Sequence, residues 1–154
     1  MTGMVTAVAR HEFATLTPEQ VYDAWLDPEA VRIWGDRNLK ERDASARVTR
    51  IEIDPKVGGR FVFADIRGGE ESEAWGYYRV LDRPRLLVFT WFTSVQEEVE
   101  DASTVTLSIT PTAGGCVATM SHEMSVEWAD YIEPTAKAWS GMLRAIEETR
   151  GQPA

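Results

Sequence analysis

The sequence predicts an α+β protein, a curved antiparallel sheet of seven strands covered by one long C-terminal helix. Three observations carry that prediction. From residue 46 to residue 125 apolar side chains recur with a period of two, the mark of strands. The links within this stretch, "DPKVGG", "RGGEE", "DRPR" and "TAGG", carry turn chemistry, so strands adjacent in sequence pair as an antiparallel meander. Near the end the period returns to steps of three and four and holds for about 20 residues, which makes one helix longer than any other.

Each element has its own justification. "VTAVARHEF", Val5 to Phe13, alternates loosely as a half-buried strand does. "TPEQ" then forms a capping box, with Thr17 as cap, Pro18 at the first helical position and Gln20 three residues after the cap. Val21, Tyr22, Trp25 and Leu26 follow at helical spacing. A second short helix, "PEAVRIWG", is expected to stop at Gly35, with an exposed loop from Asp36 to Ser45. Six strands are expected near 46–54, 59–66, 72–82, 85–93, 103–111 and 116–125, and the acidic link "SVQEEVED" reads as a solvated hairpin tip. Trp128, Ile132, Thr135, Trp139, Met142, Leu143 and Ile146 give the last helix a bulky apolar stripe; Pro134 sets its start near Glu133 or kinks it there.

The 154 residues suit one domain, 1–154, able to bury about two-thirds of its unfolded surface. A formal charge of -9, from 16 basic and 25 acidic residues, repels a phosphate backbone and argues against nucleic acid as partner. No segment has the 18 or so apolar residues that would insert into a membrane, and "MTGMVTAVAR" lacks the look of a secretion signal, so a soluble, cytoplasmic protein is expected. Cys116, the single cysteine, excludes an internal disulfide and reads as a buried structural thiol.

"HEMSV", residues 122 to 126, is one position short of the H-E-x-x-H zinc pattern, as is "HEFAT" at 11 to 15. On the strand "CVATMSHEM", Cys116, Ala118, Met120, His122 and Met124 share one face and Glu123 takes the other. Strand geometry therefore keeps His122 and Glu123 from one metal, and no metal or cofactor is expected. Serine-elbow, dinucleotide and P-loop patterns do not occur, since the paired glycines read as turns.

A curved sheet around one helix leaves space between the layers. Alternation assigns Phe61 and Phe63, Trp75 and Tyr77, Phe89 and Trp91, and Met120 and His122 to faces that look toward Tyr131, Trp139 and Met142, giving an interior rich in aromatic and sulfur side chains. The ligand-binding candidates are Phe61, Phe63, Trp75, Tyr77, Phe89, Trp91, Met120, His122, Tyr131 and Trp139. Plain core packing is the alternative for each.

The segments "LTPEQVYDAWLDPEAVRIWG", "VGGRFVF", "GYYRVLDRPRLLVFTW", "STVTLSITPTAGGCVATMSH" and "KAWSGMLRAIE" together resemble the Hsp90-ATPase-activator-homologue-1-like branch of the START-like (SRPBCC) superfamily over almost the whole chain. The resemblance implies a helix-grip fold with an apolar cavity between sheet and C-terminal helix. It leaves function open, because members include lipid carriers, polyketide cyclases and hormone receptors. Eukaryotic activators of this type carry a separate N-terminal domain that these 154 residues do not supply, an expectation against a direct co-chaperone role.

Three functions follow as expectations. The first is binding of a small hydrophobic molecule, aromatic, acyl or lipid-like, in the cavity. The second is a cyclase, dehydratase or hydrolase acting on a carbonyl substrate there, with His122, the only histidine on an expected inner face, as acid or base, Tyr77, Arg79 or Tyr131 orienting an oxygen, and Glu73 as a second candidate base. The third is a protein-interaction domain, for a chaperone or for its own copy in a homodimer, whose mark would be exposed apolar surface.

Overall fold

The computed structural model describes residues 3–150. Among the described residues eleven elements and a 3-10 turn follow one another: β1 (Met4–Phe13), α1 (Pro18–Ala24), α2 (Pro28–Lys40), β2 (Arg47–Ile53), β3 (Arg60–Arg67), β4 (Glu70–Asp82), β5 (Leu86–Thr90), α3 (Val95–Glu100), β6 (Ser103–Pro111), β7 (Cys116–Ser125), the turn (Val126–Tyr131) and α4 (Ile132–Arg150). All pairings are antiparallel and the strand order is β1-β7-β6-β5-β4-β3-β2. This is the α+β helix-grip arrangement, with α4 held in the concave side of the sheet.

Chain chemistry sets the ends of the helices. The Thr17 hydroxyl accepts from the Gln20 N–H while the Gln20 side chain accepts from the Thr17 N–H, so the expected capping box forms. Asp27 caps α2 in the same sense. Pro134 falls in the first turn of α4, where its missing N–H would have had no helical partner.

Three expectations about elements are corrected. Helix α2 does not stop at Gly35 but runs to Lys40, so the expected loop begins only after the helix has delivered Asn38 to the interior. Gly35 is there for closeness: a Cβ on it would stand 3.0 Å from Val48 Cγ2, and β2 is tied to the same turn by the Val48 N–H donating to Asp36 at 2.6 Å. The acidic link is not a bare hairpin tip but the short helix α3, capped by Ser94. Trp128, expected on the stripe of the last helix, belongs to the 3-10 turn and is 39% exposed.

The core lies between the concave sheet face and α4. Ala9 and Phe13 of β1, Val105, Leu107 and Ile109 of β6, and Cys116, Ala118 and Met120 of β7 meet Trp139, Leu143 and Ile146 of α4. Burial pushes the Cys116 thiol up to about 11, consistent with a packing role. His11, on the concave side of β1 by its pairing with Ala118, meets Glu147 of α4 at 2.8 Å, so His122 is not the only histidine on the inner face. Salt bridges from Arg37 to Glu148 (3.1 Å) and from Arg144 to Glu41 (3.0 Å) link α2 to α4 at their exposed edges.

Candidate functional site

The core does not extend under the whole of α4. Between α2, the N-terminal half of α4 and the β2-β3-β4 end of the sheet lies a cavity of about 670 Å³, within the usual range for small-molecule sites. Its apolar wall comes from Val31 and Trp34 of α2, Ile51 of β2, Phe63 of β3, Trp91 after β5, and Ala138, Trp139 and Met142 of α4. Asn38, Arg42, Asp43, Asp65, Glu71 and Glu73 supply polar lining.

The aromatic wall is one connected stack. Trp139 stands edge-on to Trp91 with ring centres 4.9 Å apart, and Trp91 meets Phe61 and Phe63, each at 5.9 Å. Trp25 and Trp34 continue the stack from the first two helices at 4.7 Å. Such offset contacts fix ring orientation, so the wall is formed in advance of any ligand.

At one end of this wall His122 is held from both sides. The Trp139 indole N–H donates to its Nδ1 at 3.1 Å. An indole nitrogen can only donate, so Nδ1 is the unprotonated nitrogen and the proton sits on Nε2, which donates to the Ser103 hydroxyl at 2.8 Å. His122 is 6% exposed, and burial lowers its pKa to about 4; a proton on Nδ1 would also face the indole N–H. The ring is therefore neutral at physiological pH with both nitrogens engaged. The unprotonated nitrogen is thus spent on the indole N–H, and the lowered pKa makes the ring a weak base at neutral pH.

The ten expected ligand residues divide. Phe63, Trp91, His122 and Trp139 line the cavity. Phe61, Phe89 and Met120 lie on the same concave side but are packed into the core beneath it. Trp75 and Tyr77 are corrected outright: Phe61 pairs with Gly76 and Phe63 with Ala74, so the concave face of β4 carries Ala74, Gly76 and Tyr78, and Trp75 and Tyr77 take the convex face. There Trp75 packs with Val62 and Phe92, and Glu98 of α3 accepts from the Trp75 indole at 2.9 Å and the Tyr77 hydroxyl at 2.6 Å. Tyr131 is 54% exposed beside Trp128, away from the cavity. Of the other residues considered for catalysis, Arg79 pairs with Asp101 on the convex side, and Glu73 lies at the cavity rim bound to Arg50 at 3.0 Å.

Sequence reasoning missed the contribution of α2. Asn38 and Leu39, expected in a loop, belong to the helix, and with Arg42 in the loop just beyond its end they form one side of the cavity. The signal was present: Asn38 and Arg42 continue the Val31, Trp34 spacing once Gly35 is read as a close approach instead of a stop. Among the described residues no three His, Cys, Asp or Glu side chains converge as a metal site, and no helix is long and apolar enough to cross a membrane.

Comparison with known proteins bears on the fold and the family. The model of the Activator of Hsp90 ATPase homolog 1-like protein family matches residues 15–151. Among solved structures, a Nitrosomonas europaea protein is 16% identical with a TM-score of 0.76, covering 94% of this chain and 92% of its own. A Chromobacterium violaceum protein is 20% identical with a TM-score of 0.75, covering 94% and 96%. An AHSA1-like protein from Aeromonas hydrophila is 21% identical with a TM-score of 0.69, covering 98% and 94%. At these identities the likeness speaks for the shared fold. No curated protein matches the sequence significantly.

Proposed function

The chain belongs to the Activator of Hsp90 ATPase homolog 1-like family, and from that premise we propose that it binds a small hydrophobic molecule, aromatic or acyl in character, in the cavity between its sheet and α4. The observation that carries this reading is the cavity itself: about 670 Å³ of space bordered by an interlocked wall of Phe63, Trp91 and Trp139 that does not close on it. Burying about 300 Å² of apolar ligand surface contributes roughly 7 kcal/mol before the costs of association, which sets dissociation constants between about ten micromolar and a millimolar.

The catalytic reading has less support, because His122, its principal residue, is held neutral between Trp139 and Ser103. A protein partner has one observation in its favour, the exposed ring pair of Trp128 and Tyr131. That pair lies outside the cavity, so the two kinds of binding are separable by mutation.

The test is a titration followed by tryptophan emission, with 2-naphthylmethanol as an uncharged probe, on wild type and Ala138→Phe. Ala138 lines the cavity, and a phenyl ring there takes up ligand space. The reading expects wild type to bind below about a millimolar and the folded variant to bind at least about tenfold more weakly. Wild type failing to bind naphthyl and acyl probes in that range, or Ala138→Phe binding as tightly as wild type, would contradict it.

A further inference from the structure

Among the described residues three polar side chains are buried: Thr90, His122 and Asn38. Two are satisfied. Thr90 Oγ1 accepts from the Tyr77 N–H at 2.9 Å, and His122 is engaged at both nitrogens. Asn38 is 9% exposed, lines the cavity, and its side-chain amide has no hydrogen-bond partner among the described residues. Among the described residues the buried side-chain atoms left without a partner are Trp25 Nε1 and Glu148 Oε1, so the Asn38 amide keeps some accessible surface in the cavity and is open to a ligand.

Arg42 stands four residues further on and lines the same cavity at its mouth. The two side chains converge on Gly141 of α4: a Cβ there would lie 2.7 Å from Asn38 Oδ1 and 3.9 Å from Arg42 Nη2. Among the described residues no carboxylate lies within salt-bridge distance of Arg42. The rim also carries acids, of which Asp43, Asp65 and Glu73 are occupied. Asp43 accepts from Ser45 and from the Gly68 N–H, and Asp65 pairs with Arg67 at 2.9 Å. Glu71 and Glu73 of β4 also border the cavity, Glu73 bound to Arg50 at 3.0 Å.

We propose that Asn38 and Arg42 form the polar end of the cavity and hold the carboxylate of an amphipathic acid whose aromatic or acyl body lies against Phe63, Trp91 and Trp139. The inference rests on the cavity being a ligand site and adds the chemical class of the ligand. A guanidinium with one amide donor matches a planar, singly charged head. A dianionic phosphate would meet a single uncommitted cation near Asp43 and Asp65, too little to offset its charge. The Asn38 amide can turn either edge to the ligand, so it also accepts from a protonated or hydroxylated head.

Calorimetric titration of the full chain at low salt decides the matter, with 2-naphthoate and 2-naphthylmethanol as a pair differing in the head alone. Wild type should bind the acid at least about tenfold more tightly than the alcohol, and added salt should narrow the gap. Arg42→Gln should bring the two within about twofold by weakening the acid, and Asn38→Leu, which removes a hydrogen-bond partner of either head, should weaken the acid about threefold or more. Equal binding of acid and alcohol by wild type, or a preference surviving in both variants, overturns the inference while leaving the cavity reading intact. If neither compound binds below about a millimolar, the cavity reading falls and this inference with it. Should Asn38→Leu not fold, the exposed Arg42→Gln substitution decides alone.

Discussion

At the scale of single residues the site is organised by His122, whose tautomer is dictated by the indole that donates to it. This makes a pH prediction with a definite sign. A histidine whose folded pKa is about 4, against an unfolded value near 6.5, binds fewer protons folded than unfolded between those values. Its neutral state thus supports the fold fully above about pH 6.5, and that support is lost as pH falls toward 4. Between pH 7 and pH 5 the loss should be about 2 kcal/mol. Unfolding free energies measured at both pH values should differ by that much more in wild type than in His122→Gln, whose amide reproduces both hydrogen bonds without titrating. A matching pH dependence in the two proteins would mean that the ring is not held neutral. Alternation along "CVATMSHEM" was enough to read His122 as inward-facing; its partners were not legible, because Ser103 and Trp139 are distant in sequence and meet it only through the β6-β7 register and the docking of α4.

At the scale of elements, strand β4 shows where period-two reading stops. It carries aromatic side chains on both faces, Tyr78 on one and Trp75 and Tyr77 on the other, and alternation alone does not say which is concave. What decides it is complementarity across the sheet: Ala74 and Gly76 are small where Phe63 and Phe61 are large. The convex cluster then needs a cover, and α3 supplies it. This helix buries no residue of its own, so its attachment is polar: Glu98 to Trp75 and Tyr77, and Asp101 to Arg79. The hydrogen bonds from Tyr77 and then Trp75 hold the Glu98 carboxyl below its ordinary range, so the attachment persists at neutral pH and weakens as pH falls through that lowered value. Glu98→Ala should free α3 selectively. Hydrogen exchange of its amides should quicken by about tenfold or more while the β6-β7 amides keep their protection. Unchanged exchange in α3 would show that Thr93, Ser94 and the chain ends suffice to hold it.

At the scale of the whole molecule, the chain order alone was enough to predict the helix-grip architecture, since a capped helix pair, a six-strand meander and a bulky terminal helix admit few other layered solutions. The cavity was legible only as a consequence of curvature. Which rings would line it depended on how far α2 reaches along α4, and that was hidden by Gly35, a residue that looks like a helix stop and in fact lets β2 come close. The resulting molecule is packed at the β1-β7-β6 end and open at the β2-β3-β4 end, so a ligand should meet a particular set of methyl groups. The direct measurement is an isotope-filtered nuclear Overhauser experiment on the protein saturated with 2-naphthylmethanol. The cavity account predicts contacts from the naphthyl protons to the methyls of Val31, Ile51 and Met142, three residues that border the same space from α2, β2 and α4. Contacts confined to the exposed Val95, Val99 or Val126, or none at all at saturation, would contradict it.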